Sequence, residues 1–406
     1  MEFAISPTLG INERIAGNPD ILNFGLGQSP FPVISTMVEA LRENAFQKNY
    51  INVQGLRDLR SQIAEFHLRN DDILFNEENI IIGPGSKELI FSLLFVHNAD
   101  VFIPTPCWVT YPPQCQMTGR KPIFINCDWK DNWKLTPALL ENTFRDHSNS
   151  SKKLIILNYP NNPCGYTYSK EEIQNICTIC DAFDVTIVSD EIYGKITHND
   201  KHFSTAKFSS NAILSSGISK WAGAGGWRLG YMAFNDQNRE LLTRMRQMVS
   251  ETFTSVSAPI QHAAIKAFEE SAVVDEYLGK ARKILSILAI QIRDLLADIS
   301  GLKISQMDGG FYFFLDASDM RDKLAGLGIS TSNDLANYLL DEYNLASLPG
   351  SSFGRSPNEL SLRFSFVDFD GAEIMRYNLD NIDKDLIQKH CHRVIAGVQK
   401  LKQLFT

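Results

Sequence analysis

The sequence lacks most of what a membrane, secreted or nucleic-acid-binding chain needs. Its most apolar run, Leu89 to Val96, is far shorter than the ~20 residues that cross a bilayer. It opens MEFAISPTLG, with no basic region ahead of an apolar stretch, so no secretory leader is expected. The seven cysteines are an odd number, scattered from Cys107 to Cys391, which fits a reducing cytoplasm better than a disulfide framework. Cys177 and Cys180 form one CxxC inside an expected helix with no second pair, so buried thiols are expected there and no metal. The His390-Cys391-His392 triplet falls in a charged C-terminal helix and reads as structural. Positive charge is also short: 39 basic residues face 47 acidic ones, a net charge of −8. That balance gives no electrostatic footprint for nucleic acid and none for anionic membranes.

What is present is ordinary globular material. The 406 residues, 44% hydrophobic and 21% charged, are enough for a sizeable core without staples, in two or three domains at ~150 residues each. There is no internal repeat and no low-complexity linker. Short apolar runs recur at Asn79–Gly83, Asp100–Pro104, Pro122–Cys127, Lys153–Asn158, Val185–Ser189, Ala212–Ser216 and Leu229–Phe234. Runs that are apolar throughout fit strands covered on both faces. Helical segments separate them, one opened by the capping box Ser169/Glu172. This alternation predicts an α/β domain with a mainly parallel sheet. Beyond Phe234 the spacing turns helical, at Asn238–Val249, Ala258–Glu270 and Val273–Ile299. The last third is mixed, with strands expected at Phe311–Leu315 and Leu360–Phe366. Helices are expected near Asn333–Tyr343, capped by Thr331 and Asp334, and over Gly371–Leu404.

Ligands of such sheets sit at the carboxyl ends of the strands. After the sixth run comes Ser219-Lys220, then a glycine-rich stretch, then Arg228. A hydroxyl, small residues and a guanidinium suit a phosphate, and a lysine beside it suits a Schiff base with a carbonyl. After the fifth run stand Asp190 and Tyr193, a carboxylate for a protonated ring nitrogen and a phenol for a ring oxygen. After the fourth stands the amide-bearing turn Asn158 to Gly165, with Asn162 inside it.

This ordered set, Asn162-Pro163-Cys164-Gly165, Asp190-Glu191-Ile192-Tyr193, Ser219-Lys220 with Arg228 and Gly230, and Arg363, resembles the class I/II aminotransferases over nearly the whole chain. These are fold-type I enzymes that use pyridoxal 5′-phosphate (PLP). The resemblance implies a large domain with a mainly parallel seven-stranded sheet, residues 40–285, and a smaller α+β domain from residues 1–39 and 286–406. It implies that Lys220 binds the cofactor and shuttles the proton, and that Asp190 pairs with the ring nitrogen. Tyr193 and Asn162 would meet the ring oxygen, and Ser219 and Arg228 the phosphate. Arg363 would take the substrate α-carboxylate, with Gly27 beside the substrate. Gly85, Ser86 and Lys87, opening a helix, would complete the phosphate cup. Trp108 would stack on the ring, and Tyr50 would reach a partner subunit's phosphate, which implies a homodimer. Amino acids and 2-oxo acids are the implied partners, and the cytoplasm the implied compartment. Departures from the family pattern are Gly217 where a serine is frequent, Cys164 where threonine is common, and Gly225-Gly226 for Thr-Gly.

In an aspartate/prephenate-using branch a lysine matching Lys87 reaches the distal carboxylate of the substrate. A cation in a first helical turn opposes the macrodipole, so an anion beside it is the natural justification. This points to aspartate or glutamate. The same constellation also serves carbon–sulfur β-elimination. A fused transcriptional regulator is disfavoured because the first cofactor loop comes within the first hundred residues. A nicotinamide enzyme is disfavoured because Gly25-Leu-Gly27-Gln-Ser-Pro30 breaks GxGxxG.

Overall fold

The structure is a computed structural model that describes residues 6–149 and 152–406. Its centre is a seven-stranded sheet of β1 (Ile80–Gly83), β2 (Asp100–Thr105), β3 (Pro122–Asn126), β4 (Lys153–Asn158), β5 (Val185–Asp190), β6 (Ala212–Gly217) and β7 (Gly230–Phe234). The spatial order is β1-β7-β6-β5-β4-β2-β3. Strand β7 runs antiparallel to β1 and β6, and the remaining neighbours are parallel. Side chains on β4 alternate between two separate cores. Ile155 and Leu157 join the larger core, whereas Leu154 and Ile156 join the smaller one on the opposite face. Both faces are therefore dry, which is why these strands lack polar alternation.

One row of the sheet is made of glycine. Gly230 pairs with Gly83 on one side and with Gly217 on the other. A Cβ on Gly230 would stand 2.4 Å from the Ser86 amide nitrogen, and one on Gly217 would stand 2.7 Å from the Leu229 carbonyl oxygen. The bare row lets the loops after β1, after β6 and before β7 lie directly on the sheet. At Gly217 this backbone leaves no space for a side chain.

A second, four-stranded antiparallel sheet places Ser361–Ser365 between Tyr312–Asp316 and Leu348–Pro349, with Lys303–Ile304 at the edge. Leu22–Asn23 pairs with Leu345–Ala346, so the N-terminal segment packs on elements from the last third. The expected divisions at 39/40 and 285/286 fall inside the continuous helices Ser35–Asn44 and Ala272–Leu296.

Each expected strand is present with ends displaced by no more than a residue. The capping boxes at Ser169 and Thr331 are both formed. Cys177 and Cys180 are buried in the helix Lys170–Ala182. One expectation is corrected. The single helix over Gly371–Leu404 is three: Gly371–Ile374, Lys384–His390 and His392–Phe405. Asp383 accepts from the Leu386 amide and starts a fresh helix, so the polar run Asn378 to Asp383 acts as a break. Cys391 separates the last two, which places His390 and His392 on different helices.

Candidate active site

At the carboxyl ends of the central strands lies a cleft of about 620 Å³. Gly27, Ser86, Lys87, Trp108, Asn162, Asp190, Tyr193, Ser219, Lys220, Arg228 and Arg363 all line it. The strand ends explain the convergence. Asp190 closes β5, Ser219 and Lys220 follow β6, Ser86 and Lys87 follow β1, and Arg228 precedes the reversed strand β7. Reversal of β7 puts its start at the edge where its neighbours finish. Gly85 borders the cleft as the N-cap of helix Ser86–Val96, at φ 93°, and offers no side-chain cap. Tyr50 stands outside the cleft of this one chain and is 93% exposed.

The anion end is built from backbone and guanidinium. The first amides of helix Ser86–Val96 have no side-chain acceptor, so they face the cleft edge as donors with the helix dipole behind them. Arg228 is held by the Gly225 carbonyl at 2.7 Å and the Pro84 carbonyl at 3.3 Å. It sits at φ 54°, a left-handed conformation uncommon outside glycine and one that costs on the order of 1 kcal/mol or more. A Cβ on Gly85 would be 2.5 Å from its terminal nitrogen, so glycine is what lets helix and guanidinium meet.

Asp190 and Lys220 occupy the middle. One Asp190 oxygen accepts from the Tyr111 hydroxyl at 2.6 Å, whereas Oδ1 is buried with no partner. Burial pushes this carboxyl up to about 6, outweighing the bonds from Tyr111 and the Ile192 amide. Lys220 Nζ donates to the Gly27 carbonyl at 2.5 Å. Burial first, then the neighbouring Arg363 and Arg228, push its amine down to about 8, while Asp190 opposes the shift. Tyr193 is buried, and its hydroxyl lies 2.9 Å from that of Tyr312. The Asn162 amide donates to Asn158 Oδ1 at 2.8 Å, and the Asn158 side chain donates to the Asp190 carbonyl at 2.9 Å. Asn158 thus ties the ends of β4 and β5 together.

At the far end Arg363 is 2% exposed and lies in register with Phe314 across the small sheet. It donates to the Gly25 carbonyl, and its Nε is buried without a partner. Its guanidinium carbon is 4.8 Å from the Tyr312 ring centre and 5.3 Å from that of Phe353. Lys87 Nζ is 5.2 Å from the Trp108 ring centre, and burial, then Arg228, hold its amine below the ordinary lysine range. Among the described residues, none of Lys87, Lys220, Arg228 and Arg363 makes an ion pair with a carboxylate.

A family model described as aminotransferase class I and II matches residues 19–376. The chain belongs to the aminotransferase class I and II family. The aspartate aminotransferase of Bacillus sp. (strain YM-2) is 30% identical over 374 residues, covering 89% of this chain and 92% of that protein. A probable aspartate/prephenate aminotransferase of Rickettsia conorii is 30% identical over 369 residues, covering 86% and 89%. The Thermus thermophilus aspartate aminotransferase with maleate superposes at a TM-score of 0.83, covering 99% of this chain and 97% of that one at 22% identity. This aminotransferase shares that fold.

Tyr111 and Tyr312 line the cleft and escaped the sequence reading. Tyr111 opens a short helix after β2, and no local motif links it to Asp190. Tyr312 lies on an expected strand, where a buried aromatic is ordinary core. Asn158 was visible as part of a turn, but its bracing of Asp190 depends on the parallel pairing of β4 with β5.

Proposed function

We propose that this aminotransferase holds pyridoxal 5′-phosphate in the cleft and transfers an amino group between a dicarboxylic L-amino acid, of the aspartate or glutamate type, and a 2-oxo acid. When bound, that cofactor supplies a carbonyl for the amino group and a ring that withdraws electrons from the substrate α-carbon. The chain's own groups fit it. Asp190 Oδ1, buried without a donor, suits a protonated ring nitrogen. The uncapped helix start at Ser86, with Ser219 and Arg228, suits a phosphate. Asn162 and Tyr193 would meet a ring oxygen, and Trp108 would offer an aromatic face. Lys220 Nζ, pushed down to about 8, is partly neutral near physiological pH and would take a proton from the substrate α-carbon. Arg363 gives the α-carboxylate a two-pronged donor that fixes orientation as well as affinity.

The observation that carries this reading is the charge inventory of the cleft. Of the cations without carboxylate partners, Lys220 serves the chemistry, Arg228 answers a phosphate and Arg363 an α-carboxylate. Lys87 remains, and a second substrate carboxylate balances it. The names of the relatives, aspartate and aspartate/prephenate aminotransferases, support the same choice. We propose a homodimer in which exposed Tyr50 meets the partner's cofactor. Residues 40–285 would surround the cofactor and residues 1–39 and 286–406 would form a smaller part, which the pairing of Leu22–Asn23 with Leu345–Ala346 supports. A cytoplasmic setting agrees with seven free, buried cysteines.

A panel of amino-acid donors tests the proposal, with the PLP-loaded protein followed by absorbance. Aspartate or glutamate should convert the aldehyde form of the cofactor to the amine form, and a 2-oxo acid should restore it. No spectral change with any amino acid would defeat it. Pyruvate and ammonia released from cystathionine without an acceptor would favour β-elimination instead. Lys87→Ala should lose far more activity with aspartate than with alanine, and an equal loss would sink the dicarboxylate assignment.

A further inference from the structure

The Tyr312 hydroxyl has no part in the reading above, yet it sits where three pieces of the cleft meet. Its oxygen is 2.9 Å from the Tyr193 hydroxyl and 3.4 Å from the Gly27 carbonyl. Its ring lies 4.8 Å from the Arg363 guanidinium carbon and edge-on to the Tyr193 ring. Gly27 makes room for it, because a Cβ there would stand 1.9 Å from the Tyr312 hydroxyl oxygen.

A hydroxyl has one hydrogen to donate. The Gly27 carbonyl is the poorer destination, at 3.4 Å against 2.9 Å for the Tyr193 oxygen. The Tyr193 oxygen lies within ordinary O–H···O range. Among the described residues the Tyr193 hydroxyl has no other hydrogen-bond partner. Once its oxygen accepts from Tyr312, its own hydrogen is free to point into the cleft. Resting on the cofactor reading given above, we propose that Tyr312 is a positioning residue: it donates to Tyr193 and so aims the Tyr193 hydrogen at the ring oxygen of the cofactor. Accepting one bond strengthens the bond donated next, and the Arg363 charge beside the Tyr312 ring makes that phenol a better donor. The ionisable groups around the pair are Arg363, Lys220 and Asp190, all lining the same cleft.

Tyr312→Phe tests this while keeping the ring beside Arg363. The readout is the pH midpoint of the absorbance change of the PLP-loaded protein. A weaker donor to the ring oxygen should move that midpoint up by roughly half to one pH unit, the equivalent of one neutral hydrogen bond. In a Tyr193→Phe background the same substitution should add no further shift, because the relay has lost its second member. An unchanged midpoint in Tyr312→Phe would overturn the proposal, and so would an equal shift in both backgrounds. A collapse of the cofactor-free melting temperature would assign the hydroxyl to stability and overturn it as well. If the unmodified protein binds no PLP, the cofactor reading falls first and this inference with it. A normal titration of the unmodified protein with an unmoved variant sinks the inference alone.

Discussion

Replacing Asp190 by asparagine should make the cofactor-free protein more stable and the enzyme useless. The carboxyl's ordinary value of 3.8 rises to about 6 in the fold, because burial outweighs the bonds from Tyr111 and the Ile192 amide. A gap of about two pH units corresponds to about 3 kcal/mol. Below 3.8 the folded and unfolded chains both carry the proton, and Asp190 costs nothing. Between 3.8 and about 6 the folded chain holds a proton that the unfolded chain has released, so stability falls as pH rises. Above about 6 both forms are ionised and the full penalty stands. Asparagine keeps the shape, retains an oxygen for Tyr111 and never ionises. The melting temperature of Asp190→Asn minus that of the parent should therefore be small near pH 4, grow up to about pH 6 and then level off. Thermal scans of PLP-stripped protein across that range measure it. Adding PLP should reverse the order at neutral pH, because only the parent gives the ring nitrogen a carboxylate. A stability difference that does not vary with pH in the stripped protein would refute the claim that the fold holds this charge at a cost.

Further predictions concern the carboxylate end. Arg363→Lys loses the fork but keeps the charge, and kcat/KM should fall roughly ten- to a hundredfold while the cofactor spectrum is retained. The same fall with an amine that has no carboxylate would contradict this. Gly27→Ala should destabilise by roughly 1–3 kcal/mol, because its Cβ would stand 1.9 Å from the Tyr312 hydroxyl oxygen. Part of that loss should return in a Tyr312→Phe background, as read by denaturant unfolding, and no recovery would show that the clash lies elsewhere.

How much of this could be read in advance follows from where each residue lies. Lys220, Asp190 and Asn162 were legible because each sits just past a run of apolar residues, and the strand end itself marks the ligand side. Arg228 was legible from its glycine-rich neighbours, but its meeting with Gly85 depends on β7 running backwards between β1 and β6. A strand's direction leaves no trace in its own composition. Tyr111 and Tyr312 were illegible for a different reason. Both are buried aromatics, and only the fold distinguishes one whose hydroxyl meets Asp190 or Tyr193 from one that fills space. The break of the C-terminal helix was legible in principle, since Asn378 to Asp383 is rich in turn and capping residues. The helical spacing on either side masked it.

The bond from Arg363 to the Gly25 carbonyl joins residues 338 positions apart. Protein synthesis proceeds from the N-terminus, so it supplies the parts of the cleft in a fixed order. Everything assigned to the phosphate has left the ribosome once Gly230 emerges, whereas the carboxylate fork arrives with the second sheet much later. Throughout that interval the segment from Leu22 to Gly27 waits for Leu345–Ala346 and Arg363 to be made. The residues assigned to an anion are therefore all made before the one assigned to a carboxylate, and only the finished chain can bring its two ends together.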